Sequence, residues 1–204
     1  MDHTGRRIIA PELLLEGYSQ GIFPMAESRE SRDVEWYSAR LRGVIPMDQF
    51  HVSKNVKKLI RNGPYRCEVN RDFEGVMRSC ASRNDTWIND LIVDSFTHLH
   101  ELGFAHSVEI YNDDQMVGGL YGVALRGAFF GESMFQFEKE TAKIALYHCH
   151  KLLQEGGFVL WDTQFHTKHL SQFGCIEIPG TEYAELLKDA MRVEAVFGYG
   201  RRVR

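Results

Sequence analysis

The feature that most constrains this chain is a change of period. Between Ser107 and Phe135 the apolar residues stop recurring every three or four positions and fall into runs that read as strands: SVEIY, then MVGGLYGVAL, then AFFGESMF. NDDQ and RG separate them, and both are turn compositions, so the three runs predict adjacent antiparallel strands in hairpin order. EKETAKIALYHCHKLLQEGG follows as a long helix closed by glycines. FVLWDTQF then reads as a strand, HTKHLSQFG as a short helix, CIEI as a strand and TEYAELLKDAM as a last helix. Three strands followed by helix, strand, helix, strand and helix imply an α/β (α+β) chain whose mixed sheet carries flanking helices.

The segment ahead of this unit is more broken. PELLLEGYSQG has a proline for the first helical turn and a glycine for the exit, which predicts a short amphipathic helix. GIFPMAES breaks it, VEWYSARLRGVIPM has extended-chain composition, and Pro46 ends that stretch. This front portion is too small for a core of its own. HVSKNVKKLIRN, DFEGVMRSCAS and LIVDSFTHLHELG read as further helices, with NDTWIND, and so Trp87, in a polar turn between the last two.

With 204 residues the chain can build one full core or a core with a small appendage. A formal net charge of −4 argues against coating nucleic acid through overall basicity. A local patch is still open to it: Lys54, Lys57, Lys58 and Arg61 follow i, i+3, i+4, i+7 spacing and share one helical stripe, either a solvated face or a contact for a phosphate backbone. No apolar run suits a signal peptide or a bilayer span, so the expectation is a cytosolic protein that does not enter a membrane. Cys67, Cys80, Cys149 and Cys175 are far apart, and His98, His100, His148 and His150 form i, i+2 pairs that diverge on helices. Neither set supports a metal site or a redox couple.

Candidate chemistry sits on two of the strands. Alternate strand residues share a face, which would align Glu132, Met134 and Gln136, and separately Leu160, Asp162 and Gln164. A carboxylate in so apolar a run needs a partner, a shifted pKa or a cavity. Gly118 and Gly119 fit either a bulge or the close approach of a ligand to the sheet. The glycine pattern joins strand to strand and opens no helix, so it is no dinucleotide fingerprint. No ordered Ser-His-acid or Cys-His set supports a covalent nucleophile.

HSVEIYNDDQMVGGLYG, FFGESMF, and DTQF followed by HLSQFG, with GIFPMAE and TWI ahead of them, resemble the bacterial leucyl/phenylalanyl-tRNA protein transferase family from about Leu13 to Leu187. The resemblance implies an enzyme that moves leucine or phenylalanine from Leu-tRNA or Phe-tRNA to the N-terminal arginine or lysine of a protein, marking it for degradation by the N-end rule. It implies a small N-terminal domain (1–40), a larger domain (41–204) similar to the N-acetyltransferase fold, no cofactor or metal, and a monomer. It places the aminoacyl pocket on Leu120, Glu132, Met134 and Gln136, with an aromatic contact at Trp87. The catalytic pair falls on Asp162 and Gln164, and the tRNA-binding helix on Lys54, Lys57, Lys58 and Arg61. Asp162 would accept or orient the proton of the attacking amine, directly or through a water, Gln164 would hydrogen-bond the ester carbonyl or the amine, and Glu132 would hold the donor's ammonium or shape the pocket floor. Two positions depart from the family pattern: Gln136 stands where serine is commonest, and Met25 where many relatives have tryptophan.

Overall fold

In a computed structural model that describes residues 5–198, Pro11 opens α1 (Pro11–Ser19) and Gly21, at φ +76°, turns the chain out of it. β1 (Phe23–Met25) and β2 (Glu35–Tyr37) pair antiparallel as a small ribbon. β3 (Leu41–Val44) leaves that ribbon and joins the main sheet. Next come α2 (Lys54–Asn62), β4 (Tyr65–Val69), α3 (Phe73–Ala81) and α4 (Asp90–Glu101). The three helices start on side-chain caps: Ser53, Asp72 and Asn89 each accept from a backbone N–H three residues on.

The period-two region folds as β5 (Ala105–Asn112), β6 (Gln115–Leu125) and β7 (Ala128–Gln136), an antiparallel meander. α5 (Thr141–Gly156) carries the chain over the sheet to β8 (Leu160–Gln164), which pairs parallel to β7. A parallel partner requires such a crossover, whereas an antiparallel one needs only a turn. α6 (Lys168–Ser171), β9 (Ile176–Pro179) and α7 (Gly180–Ala190) complete the order β4-β5-β6-β7-β8-β3-β9 in a seven-stranded mixed sheet. The mixed sheet with flanking helices is as the sequence predicts. The unforeseen elements are β1, whose Pro24 is tolerated in a two-stranded ribbon, and β4, too polar to stand out.

Two apolar clusters sandwich the sheet. One unites α1, α3, α4 and α7 through Leu14, Tyr18, Met77, Phe96 and Leu187 with Tyr121 and Phe130 of the sheet. The other unites α2, α5 and α6 through Val56, Ile144, Leu153 and Leu170 with Val108, Phe129 and Trp161. Fully burying an aliphatic side chain of this kind contributes about 1.5–3 kcal/mol. α1 and β1 therefore pack into the first cluster and carry no separate core. Gly118 and Gly119 serve packing and not ligand approach. A Cβ on Gly118 would collide with Thr141 Oγ1 at the start of α5, and one on Gly119 would lie 2.9 Å from the Val108 carbonyl oxygen. No helix among the described residues is long and apolar enough to cross a membrane.

Candidate active site

The parallel pairing of β7 and β8 lasts three rungs, Ala128↔Leu160, Phe129↔Trp161 and Phe130↔Asp162, and then the strands part. A cavity of about 660 Å³ opens at that gap, within the range of small-molecule sites. Its walls come from both clusters: Leu120, Phe129, Met134, Leu146, Trp161 and Leu170 from one side, and Phe23, Met25, Trp87 and Phe135 from the other. The cavity thus runs through the sheet where the ladder fails.

Each parting strand carries a bulge at the gap. Opposite β6, Tyr121 pairs with Ser133 and Gly122 with Gly131, so Glu132 is the extra residue of β7. Opposite β3, Val44 pairs with Asp162 and Gly43 with Gln164, so Thr163 is the extra residue of β8. A bulge re-aims the residues around it. Phe130 faces the first cluster and Met134 the second, although both are even-numbered. The expected single face bearing Glu132, Met134 and Gln136 does not exist, because the alternation reverses at Glu132. All three nonetheless line the cavity.

The same correction applies more strongly to Asp162 and Gln164. Gln164 has φ +56°, a left-handed conformation that side chains rarely adopt, and it lines the cavity. Gly43 faces it across the ladder, where a Cβ would lie 2.6 Å from backbone atoms of Phe165 and His166, so only glycine lets β3 approach the kink. Asp162 is fully buried and is not part of the cavity wall. Its Oδ1 accepts from Arg42 Nε at 2.9 Å and from the Gln164 backbone N–H at 2.7 Å. Its Oδ2 accepts from Arg42 Nη2 and from the Tyr183 hydroxyl, both at 2.6 Å. The expected role as direct proton acceptor therefore does not match its position: both oxygens are engaged and none meets the cavity. Asp162 pins the backbone of Gln164 in its strained conformation.

Arg42 is 1% exposed and packs between the rings of Phe23, 4.9 Å away, and Tyr183, 4.4 Å away. Its Nη1 donates to the Gly21 carbonyl at 2.8 Å. The buried guanidinium and carboxylate satisfy each other through two donors, and either without the other would be costly.

Glu132 is half-buried. Its Oε1 accepts from the Tyr18 hydroxyl at 2.7 Å and from Gln164 Nε2 at 3.2 Å. Among the described residues nothing donates to Oε2 or to Gln164 Oε1. Burial pushes the Glu132 carboxyl up to about 8, against the hydrogen bond from Tyr18, which favours the charged form. The site thus presents a carboxyl poised near neutral pH, an amide oxygen beside it and an apolar recess. No cysteine among the described residues lines the cavity, and burial pushes the Cys67 and Cys80 thiols up to about 12. Among the described residues no group of three His, Cys, Asp or Glu side chains could hold a metal.

Of the residues marked from sequence, Trp87, Leu120, Glu132, Met134, Gln136 and Gln164 meet at one cavity. Lys54, Lys57, Lys58 and Arg61 lie exposed along α2, apart from it. Lys57 and Arg61 border a second groove of about 440 Å³ with Tyr147 and Lys151 of α5. Sequence reasoning missed Tyr18, Arg42 and Arg83. Arg42 left a usable signal, a lone charge in the apolar stretch LRGVI; Tyr18 and Arg83 left none.

Comparison with known proteins bears on most of the chain. A family model described as leucyl/phenylalanyl-tRNA protein transferase matches residues 44–188, and one for that family's N-terminal domain matches residues 8–40. The leucyl/phenylalanyl-tRNA–protein transferase of Ruegeria pomeroyi is 48% identical over 189 residues, 93% of this chain and 90% of the relative. That of a Cereibacter sphaeroides strain is 47% identical over 189 residues, 93% of this chain and 88% of the relative. In structure the chain is similar to FemX, with a TM-score of 0.50 at 11% identity, over 82% of this chain and 66% of that one, which is a likeness of fold.

Proposed function

The chain belongs to the leucyl/phenylalanyl-tRNA protein transferase family, and on that premise we propose how its cavity moves an aminoacyl group from tRNA to a protein. The observation that carries the reading is the pair of unengaged acceptors, Glu132 Oε2 and Gln164 Oε1, at the mouth of an apolar recess. The donor's leucyl or phenylalanyl side chain enters between Leu120, Met134, Phe129 and Trp161. Apolar burial there contributes about 0.8 kcal/mol per methylene, enough to select against smaller side chains by roughly ten- to hundredfold. Gln136, at the rim, is longer than serine and narrows that approach. The donor's ammonium hydrogen-bonds Glu132 Oε2, and its arrival favours the ionised carboxylate.

The ester is already activated, so the chemical step is aminolysis by the acceptor's free α-amine. Nitrogen attacks the ester carbonyl, the C–O bond to the ribose breaks, and a proton passes from nitrogen to the departing 3′-oxygen. An α-amine with a pKa of roughly 8 is partly neutral near pH 7, so positioning supplies most of the rate. Gln164 Oε1 accepts an N–H of the attacking amine and aims its lone pair. Donation from Gln164 Nε2 to Glu132 fixes which way the amide points. Asp162, held by Arg42 and Tyr183, is a positioning residue for Gln164.

The acceptor is a protein with an N-terminal arginine or lysine, and the product enters N-end-rule degradation. The exposed cations of α2, continued by Lys151, follow the body of the tRNA. The boundary between the two family segments falls near residue 40. The site is complete within one chain, which supports action as a monomer. Four free thiols and a tRNA substrate support a cytoplasmic setting.

The test is transfer of labelled leucine and phenylalanine from their tRNAs to a peptide beginning with arginine, beside one beginning with alanine. Label on the arginine peptide alone is expected. Gln164→Ala should lower kcat at least tenfold while leaving the donor KM within about twofold. Transfer to both peptides alike would sink the acceptor assignment, and an unchanged kcat would remove Gln164 from the chemistry.

A further inference from the structure

Arg83 lies in the loop between α3 and α4, and it lines the cavity together with Trp87, four positions on. Two arginines nearby are paired with carboxylates, Arg42 with Asp162 and Arg78 with Glu74 and Asp90, whereas Arg29 donates to backbone carbonyls. Arg83 is exposed, and among the described residues no carboxylate pairs with it. It is nevertheless held in place. Its Nη2 donates to Ser133 Oγ at 2.6 Å, next to Glu132 on β7, and its Nε to the Cys80 carbonyl at 3.2 Å. Arg29 clamps the loop by donating to the carbonyls of Ala81 and Arg83. The Ala26 N–H donates to the Trp87 carbonyl at 3.2 Å, which sets Met25 and Trp87 beside each other. Ser79 and Ser82 add hydroxyls to the same rim. A fixed guanidinium with N–H groups to spare, among hydroxyls and without a countercharge, suits an anion that arrives with a ligand.

A donor ester has a fixed connectivity: the amino acid's apolar side chain and ammonium, then the ester to the ribose, from which adenine branches at C1′ and the phosphodiester to the preceding nucleotide at C5′. The recess takes the side chain and Glu132 the ammonium, which leaves Trp87 and Met25, side by side on the cavity wall, as the faces against which the adenine can lie. The branch still to be placed is the first anion of the RNA, and the rim beside Trp87 carries a cation without a carboxylate partner among the described residues. We infer that Arg83 binds the phosphodiester joining the last two nucleotides of the donor RNA, with the Ser79 hydroxyl as a supporting donor. The inference rests on the transferase reading above. It explains how a chain of net charge −4 grips the RNA end without relying on the distant stripe of α2, since one guanidinium at a fixed point reads a phosphate by position.

Three donors carrying the same phenylalanyl ester separate the possibilities: full aminoacyl-tRNA, an aminoacyl cytidylyl-adenosine dinucleotide with one phosphodiester, and aminoacyl-adenosine without any. With the parent protein the dinucleotide should be a better donor than the adenosine. Arg83→Ala should raise KM for the dinucleotide about 10- to 100-fold, with kcat changed far less, and should move KM for the adenosine ester by no more than about twofold. Arg83→Lys, which keeps the charge but not the fork, should recover part of the loss. Equal losses on dinucleotide and adenosine would show a purely structural role and overturn the inference. So would a dinucleotide KM that Arg83→Ala leaves unchanged. A parent protein inert towards all three donors would overturn the transferase reading and this inference with it.

Discussion

Glu132 and Asp162 stand at the same gap, one just beyond the last rung of the β7–β8 ladder and the other on it, yet their carboxyls are placed for opposite work. Asp162 is fully buried, with both oxygens engaged and a guanidinium against it. Glu132 keeps one oxygen unengaged at a cavity and is pushed up to about 8 by burial without a cation in contact. The difference teaches that the carboxylate bound most tightly is the structural one. The one left incompletely satisfied is available to a ligand, because its unmet interaction is where a donor ammonium gains most.

Removing one carboxylate at a time breaks the comparison most severely at Asp162. Asp162→Ala strands Arg42 in the core and should destabilise the protein by about 3–5 kcal/mol, lowering the melting temperature by roughly 10 °C. Thermal and urea unfolding read this directly; a loss below about 1 kcal/mol would mean that water reaches Arg42. Glu132→Gln should behave in the reverse way, losing about 10- to 100-fold in donor kcat/KM with its fold intact.

Its stability should also change shape with pH. The folded-state value of Glu132 lies above the usual 4.5, so the folded protein holds a proton that the unfolded chain has released between about pH 4.5 and 8. Stability from this group is full below that window and falls as pH rises through it. Denaturation at pH 5 and pH 8 should therefore show a decline in the parent that is smaller in Glu132→Gln; parallel declines would contradict the raised value. The smallest effect belongs to the distant cations. Lys54→Ala with Lys58→Ala should weaken tRNA binding several-fold and reduce the slope of log affinity against log salt by about 1.4–1.8. An unaltered slope would detach α2 from the RNA.

The parts of the molecule legible in the sequence are those governed by short-range pattern. The β5–β7 meander follows from alternation and turn residues, and α5 from its apolar repeat and the glycine at φ +81° that closes it. Trp87, Glu132 and Gln164 could be marked because a polar or aromatic side chain stood out locally. Bulges are not written in such patterns. Strict alternation through Glu132 and Thr163 put Glu132 on one face with Met134 and Gln136, and Asp162 on one face with Gln164, and both alignments fail at the two extra residues. The partner of Asp162 lies 120 positions away, so nothing near DTQF could announce that its carboxylate was already taken.

Tyr18 donates to Glu132, and Gly21 accepts from the guanidinium that holds Asp162. Both ties come from the segment that a separate family model describes. A boundary between recognisable sequence blocks need not be a seam in the machinery. Here the first block is no portable module that could be exchanged with another protein, because lifting it out would take away the hydroxyl that steadies one carboxyl and a carbonyl that steadies the counterion of the other.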